Sequence, residues 1–147
     1  MERIVRRLHE LSRELLGSTA PYTMRSAISL ADSLLALGRP REALALSRGA
    51  LNGAEATKDD PLRSLALFFL AQCELELGDV AQARQHLEAA LSLTAASSIL
   101  HSDVLHLLMN AAAAAGDEAA MRSFHQRAVE RLEIGPDPVG YRQSMLL

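Results

Sequence analysis

The sequence predicts an all-α protein built as a stack of helical hairpins, and three observations carry that prediction. Apolar residues make up 49% of the 147 residues but aromatics only 3%, so the core must come mainly from Leu and Ala, both good helix formers. Val, Ile, Thr, Tyr and Phe, the residues that favour strands, are sparse. Finally, one phrase returns: LGRPREALALSRGAL at 37–51, LGDVAQARQHLEAAL at 77–91, and more faintly AGDEAAMRSFHQRAV at 115–129. Its glycines, Gly38, Gly78 and Gly116, lie 40 and 38 residues apart, a spacing that marks a repeated supersecondary unit.

The first element is an amphipathic helix over residues 2–16. Ile4, Leu8, Leu11 and Leu15 recur at alternating spacings of three and four and form one apolar stripe. The expected reading of that stripe is a cap over the first hairpin, which a repeat stack needs for solubility, although the same spacing could form a helix–helix dimer seam. Gly17, Ser18 and Thr19 end the helix, and Pro21 opens the next. Six further helices follow at 21–37, 40–55, 61–77, 80–95, 98–115 and 117–133. Gly38, Gly78 and Gly116 take the tight turns, where a left-handed backbone suits glycine. Asp60 reads as an N-cap with Pro61 as first helical residue, and Ser97 or Ser98 caps the fifth of these helices.

Aligning the three glycines brings other positions into register. Leu30, Leu70 and Leu108 each lie eight residues before the turn; Ala43 and Ala83 lie five after it, and Ala50, Ala90 and Ala128 twelve after it. Small residues at fixed places in the second helix are what a close helix crossing requires. After Ile134 comes GPDPVGYRQSMLL, in which Gly135 and Pro136 break the helix. Tyr141, Met145 and Leu146 make this last segment apolar, so it seals the last hairpin, continues into further residues, or docks on another molecule.

The units resemble the tetratricopeptide repeat. The middle one reads Leu67-x2-Leu70-Ala71-x2-Glu74 then Ala83-x3-Leu87; the first, Ala27-x2-Leu30-Ala31-x2-Leu34 then Ala43-x3-Ser47; the third, Leu105-x2-Leu108-Met109-x2-Ala112 then Met121-x3-His125. The resemblance covers residues 22–134. It departs in lacking the aromatic at the first signature position and the terminal proline, and in its longer period, which is more like divergent repeats of bacterial regulatory proteins. It implies a right-handed α-solenoid of three hairpins in a single domain, 1–147. The hairpins are 21–56, 61–96 and 98–134, with a capping helix at 1–17 and a tail or capping helix at 135–147.

Chemistry is thinly represented. His101 and His106 are five apart, on different sides of a helix and outside the i, i+4 arrangement of zinc helices. His9, His86 and His125 are scattered, so no metal site or cofactor is expected. Cys73 sits among Leu and Ala with no histidine at helical neighbour spacing, which leaves a Cys–His nucleophile unsupported. Each glycine is isolated, so no phosphate loop exists. The expectation is a protein that is not an enzyme.

The net charge of −3 is spread over mixed signs, without the basic block a nucleic acid would need. Arg3, Arg6 and Arg7 share a helix with Glu10 and Glu14, and Arg6 and Glu10 have helical pair spacing, which reads as a solvated face. No apolar run has the length to span a bilayer, and the N-terminus lacks the apolar core of a signal peptide. A cytoplasmic protein is expected, and the Ala-, Leu- and Arg-rich composition is compatible with a bacterial origin.

The resemblance also implies a concave groove lined by the first helix of each unit. Its equivalent positions are Ile28 and Asp32, Phe68 and Gln72, and His106 and Asn110. An apolar row of Ile28, Phe68 and His106 beside a polar row of Asp32, Gln72 and Asn110 suits an extended peptide or an amphipathic helix. Phe68 and Phe69, about 100° apart on a helix, are expected to differ in burial. Apart from Arg25 the groove has no Lys or Arg, which excludes the family's carboxylate clamp. The function expected is that of an adaptor or chaperone-like module holding a partner polypeptide. The alternatives are a subunit that self-associates through its terminal helices and a regulatory domain that senses a small ligand.

Overall fold

The computed structural model describes residues 1–94 and 98–134, and among them every regular element is a helix. In chain order these are α1 (Glu2–Leu16), α2 (Pro21–Ala36), α3 (Pro40–Ala56), α4 (Asp60–Glu76), α5 (Val80–Leu93), α6 (Ile99–Ala114) and α7 (Glu118–Ile134). The tail with Tyr141, Met145 and Leu146 lies outside the described residues.

One turn chemistry is used four times. Gly38 donates its N–H to Leu35 O at 3.0 Å and Arg39 to Leu34 O at 2.9 Å, with Gly38 at φ 74°. This is the Schellman arrangement, which satisfies the last carbonyls of a helix through one left-handed residue. Gly78–Asp79 and Gly116–Asp117 repeat it, and so does Lys58–Asp59 between the first two hairpins. Lys58 takes φ 56° without being a glycine, so sequence reading missed this turn. Three of the residues that close one helix also open the next: Asp59, Asp79 and Asp117 accept hydrogen bonds from the N–H groups of Leu62, Gln82 and Ala120. The cap of α4 is therefore Asp59, one residue before the expected Asp60, and Pro61 occupies the second helical position. Ser98 caps α6, accepting from His101 N at 3.1 Å.

Links of three residues force each pair of helices antiparallel and close. The register of small residues absorbs that closeness: Ala43, Ala83, Ala90, Leu30, Leu70 and Leu108 are all at most 1% exposed. Each helix packs on the next along the chain. In addition, α4 touches both α2 and α6. The first helices of the three hairpins thus form one continuous inner layer. A main core gathers Met24, Leu62, Leu67, Leu70, Leu87, Leu105 and Leu108, and a smaller one gathers Leu30, Ala31, Leu34, Ala43 and Cys73.

The first helix departs from expectation. Of its stripe, Ile4 is 70% and Leu15 79% exposed, and Leu8 and Leu11 are also exposed, so the apolar face does not seal the first hairpin. Contact with α2 runs instead through a mostly polar face. Thr23 Oγ1 donates to Ser12 O at 3.1 Å, His9 Nδ1 meets Ser26 Oγ at 3.0 Å, and Val5 packs on the smaller core. Arg6 pairs with Glu2 at 2.7 Å, and Glu10 with Arg7 at 3.4 Å, in place of the Arg6–Glu10 pair.

Ala83→Leu is expected to cost about 1–3 kcal/mol, because the added volume has no room at the α4–α5 crossing. The exposed Ala81→Leu should stay within about 0.5 kcal/mol; chemical denaturation of both measures the difference. Lys58→Gly should stabilise the protein by about 0.5–1 kcal/mol by removing the left-handed strain of a residue with a Cβ. A fall in denaturation midpoint would contradict that.

A candidate interaction surface on the inner helices

The outward faces of α2, α4 and α6 repeat at helical spacing. Counting back from the turn glycines, Asp32, Gln72 and Asn110 occupy one row, and Arg25, Leu65 and Asp103 occupy another, two turns nearer the helix starts. Asp32, Asn110, Arg25 and Asp103 are exposed, while Gln72 and Leu65 are half-buried. Between these rows lies the one that holds Ile28, Phe68 and His106. Its accessibility changes along the stack: Ile28 is 4% exposed, Phe68 half-buried and His106 exposed. The three do not form one exposed strip. Ile28 packs into the main core, and Ser29, the next residue round the helix, is the exposed one in the first unit.

Phe68 and Phe69 are both half-buried. Their rings meet edge to face, 5.3 Å between centroids at 89°, a favoured aromatic geometry. Because the pair straddles the edge of the inner layer, each ring gives one side to the core and one to the surface. Ser29 and Asp103 were not singled out as groove lining by sequence; their signal was a spacing of three to Asp32 and His106, which were.

A second concavity lies at the far end of the stack, between α6 and α7. Met109, Met121, His125, Gln126 and Val129 line it. The third repeat departs most from the pattern here: Met121 and His125 replace the positions of Ala83 and Leu87 and are exposed.

The ionisable groups mark structure more than reactivity. Glu74 is 3% exposed, and its Oε1 lies 2.6 Å from His86 Nδ1, whose other ring nitrogen meets Gln82 Nε2 at 3.3 Å. This pair ties α4 to α5 inside the second hairpin. By sequence, His86 is one of the scattered histidines and Glu74 only the last residue of the first-helix pattern of the middle unit. Burial pushes the Cys73 thiol up to about 11, so it stays protonated near neutrality and is a poor nucleophile. Asp117 is held below the usual carboxylate range by the Ala120 N–H and then by Arg84, whose guanidinium reaches it at 3.2 Å from the preceding hairpin. Glu2 is likewise lowered, chiefly by its hydrogen bond to Arg6 and also by Arg39, which bridges α1 to the first turn. Arg39 is raised, chiefly by Glu42. His9 is lowered by burial, with Arg13 adding to the effect. His101 Nδ1 meets Thr94 Oγ1 at 2.8 Å. Among the described residues no group of three or more His, Cys, Asp or Glu is placed to hold a metal ion, and no helix is long and apolar enough to cross a membrane.

The tetratricopeptide repeat family matches residues 29–96. Among solved structures, the fold is similar to a Podosopora anserina protein of the kinesin-light-chain type with nearly identical TPR-like repeats. For a point variant of that protein the TM-score is 0.74 at 19% identity, over 89% of this chain and 65% of the other. For a second structure of it the TM-score is 0.70 at 19% identity, over 88% and 64%. At that identity the likeness concerns the fold alone, and this chain spans a little under two thirds of those chains. No curated protein matches.

His86→Ala should destabilise the protein by about 1–3 kcal/mol, since it strips a buried carboxylate of its hydrogen-bond partner. Replacing both Glu74 and His86 by Leu should recover most of that loss, which denaturant titration of the two variants will measure. Acidification should weaken the α1–α2 contact. The folded His9 binds a proton less readily than the unfolded one, so its contribution is complete above the unfolded pKa of about 6.5 and is lost as pH falls through the lower folded value. Melting temperature should drop as pH falls below about 6.5, and His9→Gln should flatten that part of the profile.

Proposed function

Over residues 29–96 this chain belongs to the tetratricopeptide repeat family, and we propose on that premise that it is a non-catalytic interaction module. Such repeats generally mediate protein–protein contacts. The partner on this reading is a polypeptide, an extended peptide or an amphipathic helix, laid across α2, α4 and α6 in an adaptor or chaperone-like role.

The observation that carries the reading is the continuity of the inner layer. Because α4 touches α2 on one side and α6 on the other, residues at equal distances from their turn glycines line up across three helices. The accessible rows then offer Asp32, Gln72 and Asn110 beside the half-buried rings of Phe68 and Phe69, with His106 beyond. Amides and a carboxylate can exchange hydrogen bonds with a peptide backbone, while the aromatic pair gives an apolar anchor for one or two side chains. Ile28 supports this surface from beneath.

The test is selection of peptides from a displayed random library against the immobilised chain, followed by affinity measurement on variants. Phe68→Ala should weaken the selected peptides by about 2 kcal/mol or more, as truncation of an aromatic anchor does. Asn110→Ala and Asp32→Ala should weaken them while leaving the melting temperature nearly unchanged, because both side chains are exposed. Peptides that bind all three variants as they bind the original chain would place the working surface elsewhere.

A further inference from the structure

The polarity of α1 is inverted. Its face toward α2 carries Glu2, His9 and Ser12, each engaged in a hydrogen bond or ion pair, while its outer face carries the apolar stripe. Ile4 is 70% exposed, Leu8 42%, Leu11 36% and Leu15 79%. A solvated helix normally turns such a stripe inward, and a contiguous exposed one marks an interaction site. The bonds on the inner face hold α1 against rolling over to bury it.

We propose that the stripe is the seam through which two copies of this chain pair, with their α1 helices antiparallel. The spacings of four, three and four between Ile4, Leu8, Leu11 and Leu15 are those of alternating core positions in a coiled coil. The charges beside the seam select the orientation. Arg3 and Arg7 flank its first half, Glu10 and Glu14 its second. Antiparallel pairing about a two-fold axis between Leu8 and Leu11 sets Leu8 against the second copy's Leu11 and Ile4 against the second copy's Leu15. It also brings Arg7 beside the second copy's Glu14, and the symmetry makes that ion pair twice. Parallel pairing would set the basic halves side by side, with no such exchange. The antiparallel arrangement is also the one that opposes the helix dipoles. The contact is self-complementary, so no other protein is needed to satisfy it. It is independent of the surface on α2, α4 and α6.

Light scattering on the whole chain over a dilution series tests this. The expected result is a mass twice the 15.9 kDa of one chain, falling to one chain on dilution. Leu8→Glu and Leu11→Glu should each weaken the association by at least about tenfold with helix content unchanged, and their melting temperature should lose the dependence on protein concentration that association gives the original chain. Glu14→Arg should also weaken it, and adding Arg7→Glu to that variant should restore it; Phe68→Ala should leave the mass unaltered. A single-chain mass at every concentration overturns the proposal, as does a dimer that survives both leucine substitutions. Failure of the second charge reversal to rescue the first overturns the antiparallel pairing.

Discussion

The structure depends on a link of three residues in which one must enter the left-handed region and the next must serve two helices at once. The N–H of Asp79 closes α4 on Glu74 O, and its side chain accepts from Gln82 at the start of α5. Asp117 does the same between α6 and α7. With no slack in the link, the two helices of a hairpin have to lie antiparallel and in contact. Only small side chains fit where they cross, which is why Ala43 and Ala83 are completely buried. The same turn at Lys58–Asp59 makes the connection between the first two hairpins as short as those within hairpins. That shortness helps bring α4 against α2 and builds the inner layer.

The second hairpin, at the centre of the stack, has neighbours on both sides and shows what central position does to chemistry. Glu74 is buried there and is satisfied by His86, whereas equivalent positions in the flanking units are the apolar Leu34 and Ala112. Leaving such a carboxylate unpaired would cost more than the net worth of the bond, so the pair fixes how α4 and α5 sit. Toward the far end the constraint relaxes. Met121 and His125 stand where the second hairpin has Ala83 and Leu87, and α7 is anchored by Phe124, at 7% exposure, with Arg127 stacked 6.0 Å from its ring centroid.

Two surfaces of different character result. On the inner helices, polar side chains stand beside a half-buried aromatic pair, which suits recognition of a polypeptide through hydrogen bonds and one anchor. On α1, an uninterrupted apolar stripe stands in water, flanked by Arg3 and Arg7 along its first half and by Glu10 and Glu14 along its second. Both arise from the stacking. The inner surface exists because three helices share a layer, and the outer one because the hydrogen bonds of Ser12 and His9 decide which side of α1 meets α2.

The sequence by itself determined the helices, their turns and their register. These are local matters: glycine at a left-handed residue, proline at a first turn, leucine and alanine at fixed distances from both. Where local chemistry was atypical the reading slipped, as with Lys58 filling a left-handed position and Asp59 rather than Asp60 capping α4. Of the candidate surface, Asp32, Asn110 and His106 were among the groove positions that the resemblance to the tetratricopeptide repeat implied, and they are exposed. The burial of Ile28, the partial burial of both Phe68 and Phe69, the Glu74–His86 pair and the outward stripe of α1 were decided only by tertiary structure. Periodicity tells that a helix has two faces. Which face is covered depends on the neighbour's position and on the hydrogen bonds that neighbour can satisfy, and α1 meets α2 through Ser12 and His9, not through its apolar stripe.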